Sequence, residues 1–322
     1  PVRRARLLAA LAAGALLATT ACGASAVSTA GASGPAAAAD TGTITIGALS
    51  TLEGAFAALG EPSMQGVKVA LLEYGGVLEG TGVRDGVTGA TVAGKPITLV
   101  IDGSDATADV AVEKARELVE QDGAQILVGP LSGDEGIAIK NYARTRPGTT
   151  FVNGLSAAQD MTLRDPSPNV FRFGGDGAMW VAGLGRYAHD VLGYRTVATI
   201  AEDYSYPYDQ IGGFLSEFCA AGGQVVDRVW FPLGTKDLST YVTQLPTDVD
   251  AVFFAMGGTD AINFVKQYDQ FSGRATPLLG GTTAVDGSVL EGIGARADGI
   301  VSAGPVPELD TPAYADFAAK LD

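Results

Sequence analysis

The chain has few residues equipped for covalent or acid–base chemistry. Its one histidine, His189 in RYAHDVLGY, gives neither a zinc cluster nor an evident Ser-His-Asp set. There is no GxSxG elbow, no Walker A loop and no GxGxxG between a strand and a helix. The adjacent acids Asp134-Glu135 and Glu202-Asp203 stand at loop starts, where such pairs are solvated or complement a helix dipole. Cys219, in FLSEFCAAGG, has no His or basic residue near it in sequence to lower its pKa and reads as a buried small hydrophobe. The expectation is a non-enzyme without metal or cofactor. What the chain does carry is a place for an anion. In ILVGPLSGDEG, Ile126 to Gly136, three apolar residues end a strand, Gly129-Pro130 turns the chain, and a helix can start. At the carboxyl end of a parallel strand, a helix N-terminus aims backbone N–H groups at a negatively charged ligand.

The elements around that stretch follow a regular order. Thr43 to Leu49 is an early strand, and a helix follows from about Pro62, with Val67, Leu71 and Tyr74 on one face. Val77 to Gly94 is a Gly-rich surface excursion, with hairpin chemistry at Asp85-Gly86. Then come a strand from Pro96, a helix from Thr107 to Gln121 capped by Gly123, the Ile126 strand, a helix from Asp134 to Ala143, and a strand from Thr149 to Val152. Alternation of this kind means a parallel, doubly wound sheet. DPSPNVFRFGGD interrupts it and suits a connector between lobes. A second series follows: helix Ala178 to Leu192, strand Thr196 to Ala201, helix Ile211 to Ala221, strand Gln224 to Phe231, strand Ala251 to Ala255, helix Ala261 to Phe271 and strand Leu278 to Leu279. ADGIVSAGPVP reads as a second connector, leading to a helix from near Pro312.

The front end is of another kind. Arg3, Arg4 and Arg6, an apolar run from Leu7 to Leu17 and small residues up to Ala21 have the form of a secretory signal, residues 1–21. LATTAC resembles the lipobox of bacterial lipoproteins, which implies lipid modification of Cys22; Thr19 stands where Leu is usual, and the alternative is a plain signal with an incidental Cys. With Cys22 lipidated, Cys219 has no disulfide partner. Residues 22–43 are mostly Ala, Ser, Gly and Thr and read as a flexible tether. A formal net charge of −15 argues against nucleic acid or anionic lipid as partner.

Taken together, LSTLEGAFAALG, KARELVEQDG, ILVGPLSG, VFRFGGD, LGYRTVATIAEDYSY, AAGGQVV and PLGTKDLSTYVTQL resemble the type I periplasmic binding proteins of the Leu/Ile/Val-binding group. These are the extracytoplasmic receptors of ABC importers. The resemblance runs from about Ile44 to the end and implies two Rossmann-like α/β lobes with parallel sheets joined by hinge crossovers: residues 44–172 with 302–322, and residues 173–301. It also implies that the third crossover and last helices lie beyond Asp322. By the same resemblance a ligand carboxylate meets Ser132 and Gly133 on one loop and Ser156, Ala157 and Ala158 on the next. Tyr204 and Tyr206 supply an aromatic cover, and Asp286, or failing it Asp260, faces an ammonium. Ser132 and Ser156 have the alternative of capping helices, and Asp286 that of a turn residue. Glu53 stands on the cleft lip where Thr is common and changes the ligand choice. The implied ligand is a branched-chain amino acid or a relative, alternatively an amide, a urea-like molecule or an aromatic carboxylate. The implied partners are permease subunits and, through Cys22, the outer face of the membrane, the receptor itself being a monomer. A ligand sensor and a secreted α/β hydrolase are the remaining alternatives.

Overall fold

The computed structural model describes residues 42–272, 276–305 and 311–321; the expectations for residues 1–41, Cys22 among them, lie outside it. The first sheet has six strands in the order β4-β5-β1-β6-β7-β8. They are β1 Ile44–Thr51, β4 Thr91–Val92, β5 Lys95–Ser104, β6 Ile126–Val128, β7 Thr150–Asn153 and β8 Val170–Arg172. All its neighbours are parallel except the short β4, which folds back on β5. The Gly-rich excursion is a small hairpin of β2 Val77–Leu78 and β3 Val87–Thr88. Helices α1 Ala57–Leu72, α2 Ala108–Arg116 and α3 Gly133–Ala143 cover this sheet. On one face Leu49, Leu118, Leu127, Ile139 and Phe151 close a core around α2 and α3, and on the other Ala48, Met64, Leu71 and Leu99 close one around α1. Apolar residues on both faces of a strand are what a parallel sheet between two helix layers requires.

The second sheet is parallel throughout, in the order β10-β9-β11-β12-β13. Its strands are β9 Thr196–Glu202, β10 Gln224–Phe231, β11 Ala251–Ala255, β12 Leu278–Gly280 and β13 Val301–Ser302. Between them run α4 Gly177–Trp180, α5 Leu184–Asp190, α6 Ser205–Ala220, α7 Ser239–Gln244, α8 Gly258–Ser272 and α9 Gly287–Ile293. β11, AVFFA, is wholly buried, and Phe214 stacks on its Phe253 at 4.2 Å between centroids.

Some expectations shift. Cys219, expected to be buried, is exposed in the last turn of α6, whose buried face is carried by Ile211, Phe214 and Phe218. The helix expected from Ala178 to Leu192 is broken into α4 and α5 at Gly183, whose φ of 90° no helix accepts. ADGIVSAGPVP, expected as a plain connector, holds β13, in which Ser302 pairs with Gly280 of the second sheet. The last helix, α10 Pro312–Leu321, lies against α1 of the first lobe.

Candidate functional site

The two sheets point their carboxyl ends at each other, and the loops that leave them enclose a cavity of about 830 Å³. On the first lobe, β6 ends at Gly129, where φ is 117° and a Cβ would come within 1.9 Å of the Leu49 carbonyl oxygen, so only glycine fits. The turn brings Leu131, Ser132 and Gly133 to the cavity wall. Ser132 caps α3: its Oγ accepts from Glu135 N–H at 3.4 Å, and the Glu135 carboxylate accepts from Ser132 N–H at 2.9 Å. The same carboxylate accepts from Thr51 Oγ1 at 3.1 Å and Ser104 Oγ at 2.5 Å, so one fully buried acid ties the ends of β1 and β5 to the start of α3. Burial pushes the Glu135 carboxyl up from its ordinary value, and its hydrogen-bond donors oppose the shift. Ser132 also donates its hydroxyl to the Ala106 carbonyl at 3.3 Å. With Ser132 N–H, Glu135 N–H and Gly136 N–H all engaged, the N–H groups of Gly133 and Asp134 are the donors of this helix start that have no partner among the described residues.

On the second lobe, β9 runs through Glu202 to Tyr204, the N-cap residue of α6, and Tyr206 in its first turn. Both rings are buried between the lobes: Phe56 lies 5.9 Å from Tyr204, and Trp180 meets Tyr206 edge-on at 6.0 Å. The Tyr204 hydroxyl has no partner among the described residues. Burial, then the Glu202 charge, raises its pKa well above the ordinary range, so it stays a neutral donor. The Tyr206 hydroxyl is engaged with Thr282 and Gln210. Asp286 caps α9, its Oδ1 accepting from Val289 N–H at 3.0 Å and Ser288 Oγ at 2.7 Å, while its Oδ2 is buried without a partner among the described residues. Apolar groups make up most of the remaining wall, among them Leu59, Leu155, Val285, Leu290 and Ile300, and among the described residues no Lys, Arg or His lines it.

Of the expected site residues, Ser132, Gly133, Ala157, Tyr204, Tyr206 and Asp286 stand together on this wall. The structure places the other four elsewhere. Ser156 is buried with its Oγ against Gly136 of α3, 2.0 Å from where a Cβ would stand. Ala158 turns its carbonyl to Arg172. Asp260 lies within the second lobe, accepting from Gly234 N–H at 2.7 Å, and burial pushes it up to about 6. Glu53 is exposed and faces Arg84 at 3.6 Å. Phe56, Trp180 and Thr282 complete the wall without having been assigned to it from sequence; Thr282 sits in the same loop as Asp286.

The lobes touch directly. Ser205 N–H donates to Asp134 Oδ1 at 3.2 Å, Gln159 N–H to Asp209 Oδ2 at 2.7 Å, and Thr259 Oγ1 to the Ala55 carbonyl at 3.5 Å. Asp209, half-buried by this contact and facing Asp176 and Asp160 with Arg172 as the opposing charge, is raised to about 6. Glycines make the close approaches possible: a Cβ on Gly133 would lie 3.1 Å from Tyr206 N, and one on Gly258 2.5 Å from the Ala55 carbonyl.

Two α/β lobes closed on an apolar cavity, with helix starts at its rim, define a bilobal solute-binding protein. The family model described as periplasmic binding protein matches residues 43–322. The chain belongs to that family, the extracytoplasmic solute-binding proteins of ABC transporters. Similar solved structures include an ABC transporter substrate-binding protein from Sphaerobacter thermophilus, 30% identical, with a TM-score of 0.71 over 87% of this chain and 73% of that one. A solute-binding protein from R. palustris in complex with benzoate is 22% identical, with a TM-score of 0.76 over 87% of this chain and 73% of its own. A leucine binding protein, LivK, from Thermotoga maritima is 20% identical, with a TM-score of 0.73 over 86% and 74%. No curated protein sequence matches the chain.

Proposed function

We propose that this receptor encloses a small carboxylate with an apolar, ring-sized body, an aromatic carboxylate before other classes, and delivers it to a membrane permease. The observation that carries the reading is the wall's division of labour. Among the described residues the Gly133 N–H at the start of α3 and the Tyr204 hydroxyl stand on the wall without a partner, the Asp134 N–H follows Gly133 on the same helix start, and most of the remaining lining is aromatic and aliphatic. A carboxylate accepting such bonds gains about 1.5–3 kcal/mol from each, without a cation. Phe56, Trp180 and Tyr206 offer ring edges and faces to the body of the solute. The benzoate complex of the R. palustris protein supports this choice.

A branched-chain amino acid is the second reading. Asp286 favours it, because Oδ2 has no partner among the described residues and an ammonium would supply one. LivK, by its name a leucine binding protein, shares the fold. A thermal-shift screen of benzoate, 4-hydroxybenzoate, leucine, isoleucine, benzamide and urea separates the readings. Solute at 100 times its Kd adds about 2.7 kcal/mol of stability. Response to the benzoates alone supports the first reading, response to leucine and isoleucine alone the second, and response to none of the carboxylates refutes both.

No helix among the described residues is long and apolar enough to cross a membrane. The proposed attachment is lipid on Cys22, with the receptor acting as a monomer. Cys22→Ser should move the protein from the membrane fraction to the soluble one, and retention in the membrane would refute the anchor.

A further inference from the structure

Gln210 is fully buried on α6, one turn beyond Tyr206, and does not itself reach the cavity. Its Nε2 lies 2.5 Å from Tyr206 Oη and 2.6 Å from Thr282 Oγ1, and those two oxygens are 2.5 Å apart. Gly281 makes the room: a Cβ there would come within 2.1 Å of the Gln210 amide oxygen. An amide nitrogen has protons to donate and no lone pair to accept with, so both hydroxyl oxygens receive. The Tyr206–Thr282 contact uses one of the two hydroxyl protons. The other must leave the trio, from a side chain that lines the cavity in either case. The Gln210 amide nitrogen only donates, so each hydroxyl it meets points its own proton away from Gln210, and bonds aligned in this way strengthen one another.

We propose that Gln210 is a positioning residue that sets this proton direction, so that the second-lobe wall at Tyr206 and Thr282 presents a hydroxyl donor, takes a carboxylate oxygen or other acceptor of the solute, and turns away an ammonium. The inference rests on the carboxylate reading above and assigns that reading a specificity determinant outside the wall.

The test is a double-mutant cycle on the full chain, with benzoate as the probe and Trp180 fluorescence or calorimetry as the readout. Gln210→Met keeps the volume and removes the donors; Thr282→Val removes one hydroxyl. Each should weaken benzoate binding about tenfold, the value of one lost hydrogen bond of this kind. The double variant should bind no worse than either single one, because Gln210 acts only through the hydroxyls. Wild-type affinity in Gln210→Met, or losses that multiply in the double variant, would overturn the proposal. Should Gln210→Met fail to fold, as its melting curve would show, Tyr206→Phe with Thr282→Val gives the same cycle on the hydroxyls alone, and multiplying losses there refute the proposal. A wild-type protein that leaves benzoate unbound and binds leucine removes the carboxylate-ring reading and this inference together, an outcome distinct from normal wild-type binding with an indifferent Gln210.

Discussion

The contact between the lobes rests on the absence of a side chain at Gly133, which makes Gly133→Ala a direct perturbation of closure. The new Cβ would lie 3.1 Å from Tyr206 N across the cleft and 3.2 Å from Ala158 Cβ within its own lobe. It would also stand 2.3 Å from Ser205 Oγ, a hydroxyl that can rotate aside, whereas the Tyr206 backbone cannot. Insertion of one methyl into such a fit costs about 1–3 kcal/mol. In the open state the lobes part and the contacts with Ser205 and Tyr206 vanish, leaving only the one with Ala158. The share of the penalty that arises across the cleft therefore falls on the open-to-closed equilibrium and appears as a loss of solute affinity of up to about 150-fold. The first lobe should not suffer, since alanine suits a first helical turn better than glycine. Calorimetric titration with benzoate gives the affinity, and small-angle scattering of the unliganded protein gives the radius of gyration, which should rise. Wild-type affinity with an unchanged radius would refute the claim that closure is limited at this point.

Three further outcomes follow from the same geometry. Tyr204→Phe removes a hydroxyl without a partner among the described residues and should weaken benzoate binding about tenfold with no drop in Tm; unchanged affinity would take Tyr204 out of the site. Asp286→Asn keeps an oxygen for the α9 cap and should impair leucine binding while sparing benzoate; equal loss for both would remove an ammonium role. Asp209, raised to about 6 from an ordinary 3.8, binds its proton more tightly in the folded protein, so its stabilising contribution is present below about pH 4 and is lost as pH rises through about 6. Asp209→Asn should match wild type in Tm near pH 4 and exceed it at pH 7, and parallel pH profiles for the two proteins would refute the assignment.

The periodic part of this fold was legible from residues alone. Apolar strands alternating with amphipathic helices on both sides of DPSPNVFRFGGD imply two doubly wound lobes, and ILVGPLSG marks the wall that the structure puts at the cleft. Glu135 was not legible in its actual role. Beside Asp134 it reads as a solvated acid, yet it is buried because three chain ends, from β1, β5 and β6, converge on it. Convergence of that sort is a tertiary fact with no local pattern. Ser156 and Asp260 failed as wall residues for a related reason: residue type says that a polar group needs a partner, and only packing says which way it turns. Gly183 could have been weighed as a helix breaker, and the short β13 carries too few residues for a periodic signal.

The position of Glu135 bears on how the receptor lets go. An acidic side chain sits directly behind the N–H groups that would seat a solute's negative end, and it has taken one of that helix's leading donors for itself. It blunts the positive potential of the helix start, so an anion seated there, as proposed above, would be held by few bonds and a weakened field. For a carrier the useful quantity is throughput, and residence time is governed chiefly by the dissociation rate. A seat with a built-in counterweight exchanges its cargo quickly once the lobes part, and opening of the lobes, more than breaking of the anion's bonds, then sets the pace of delivery.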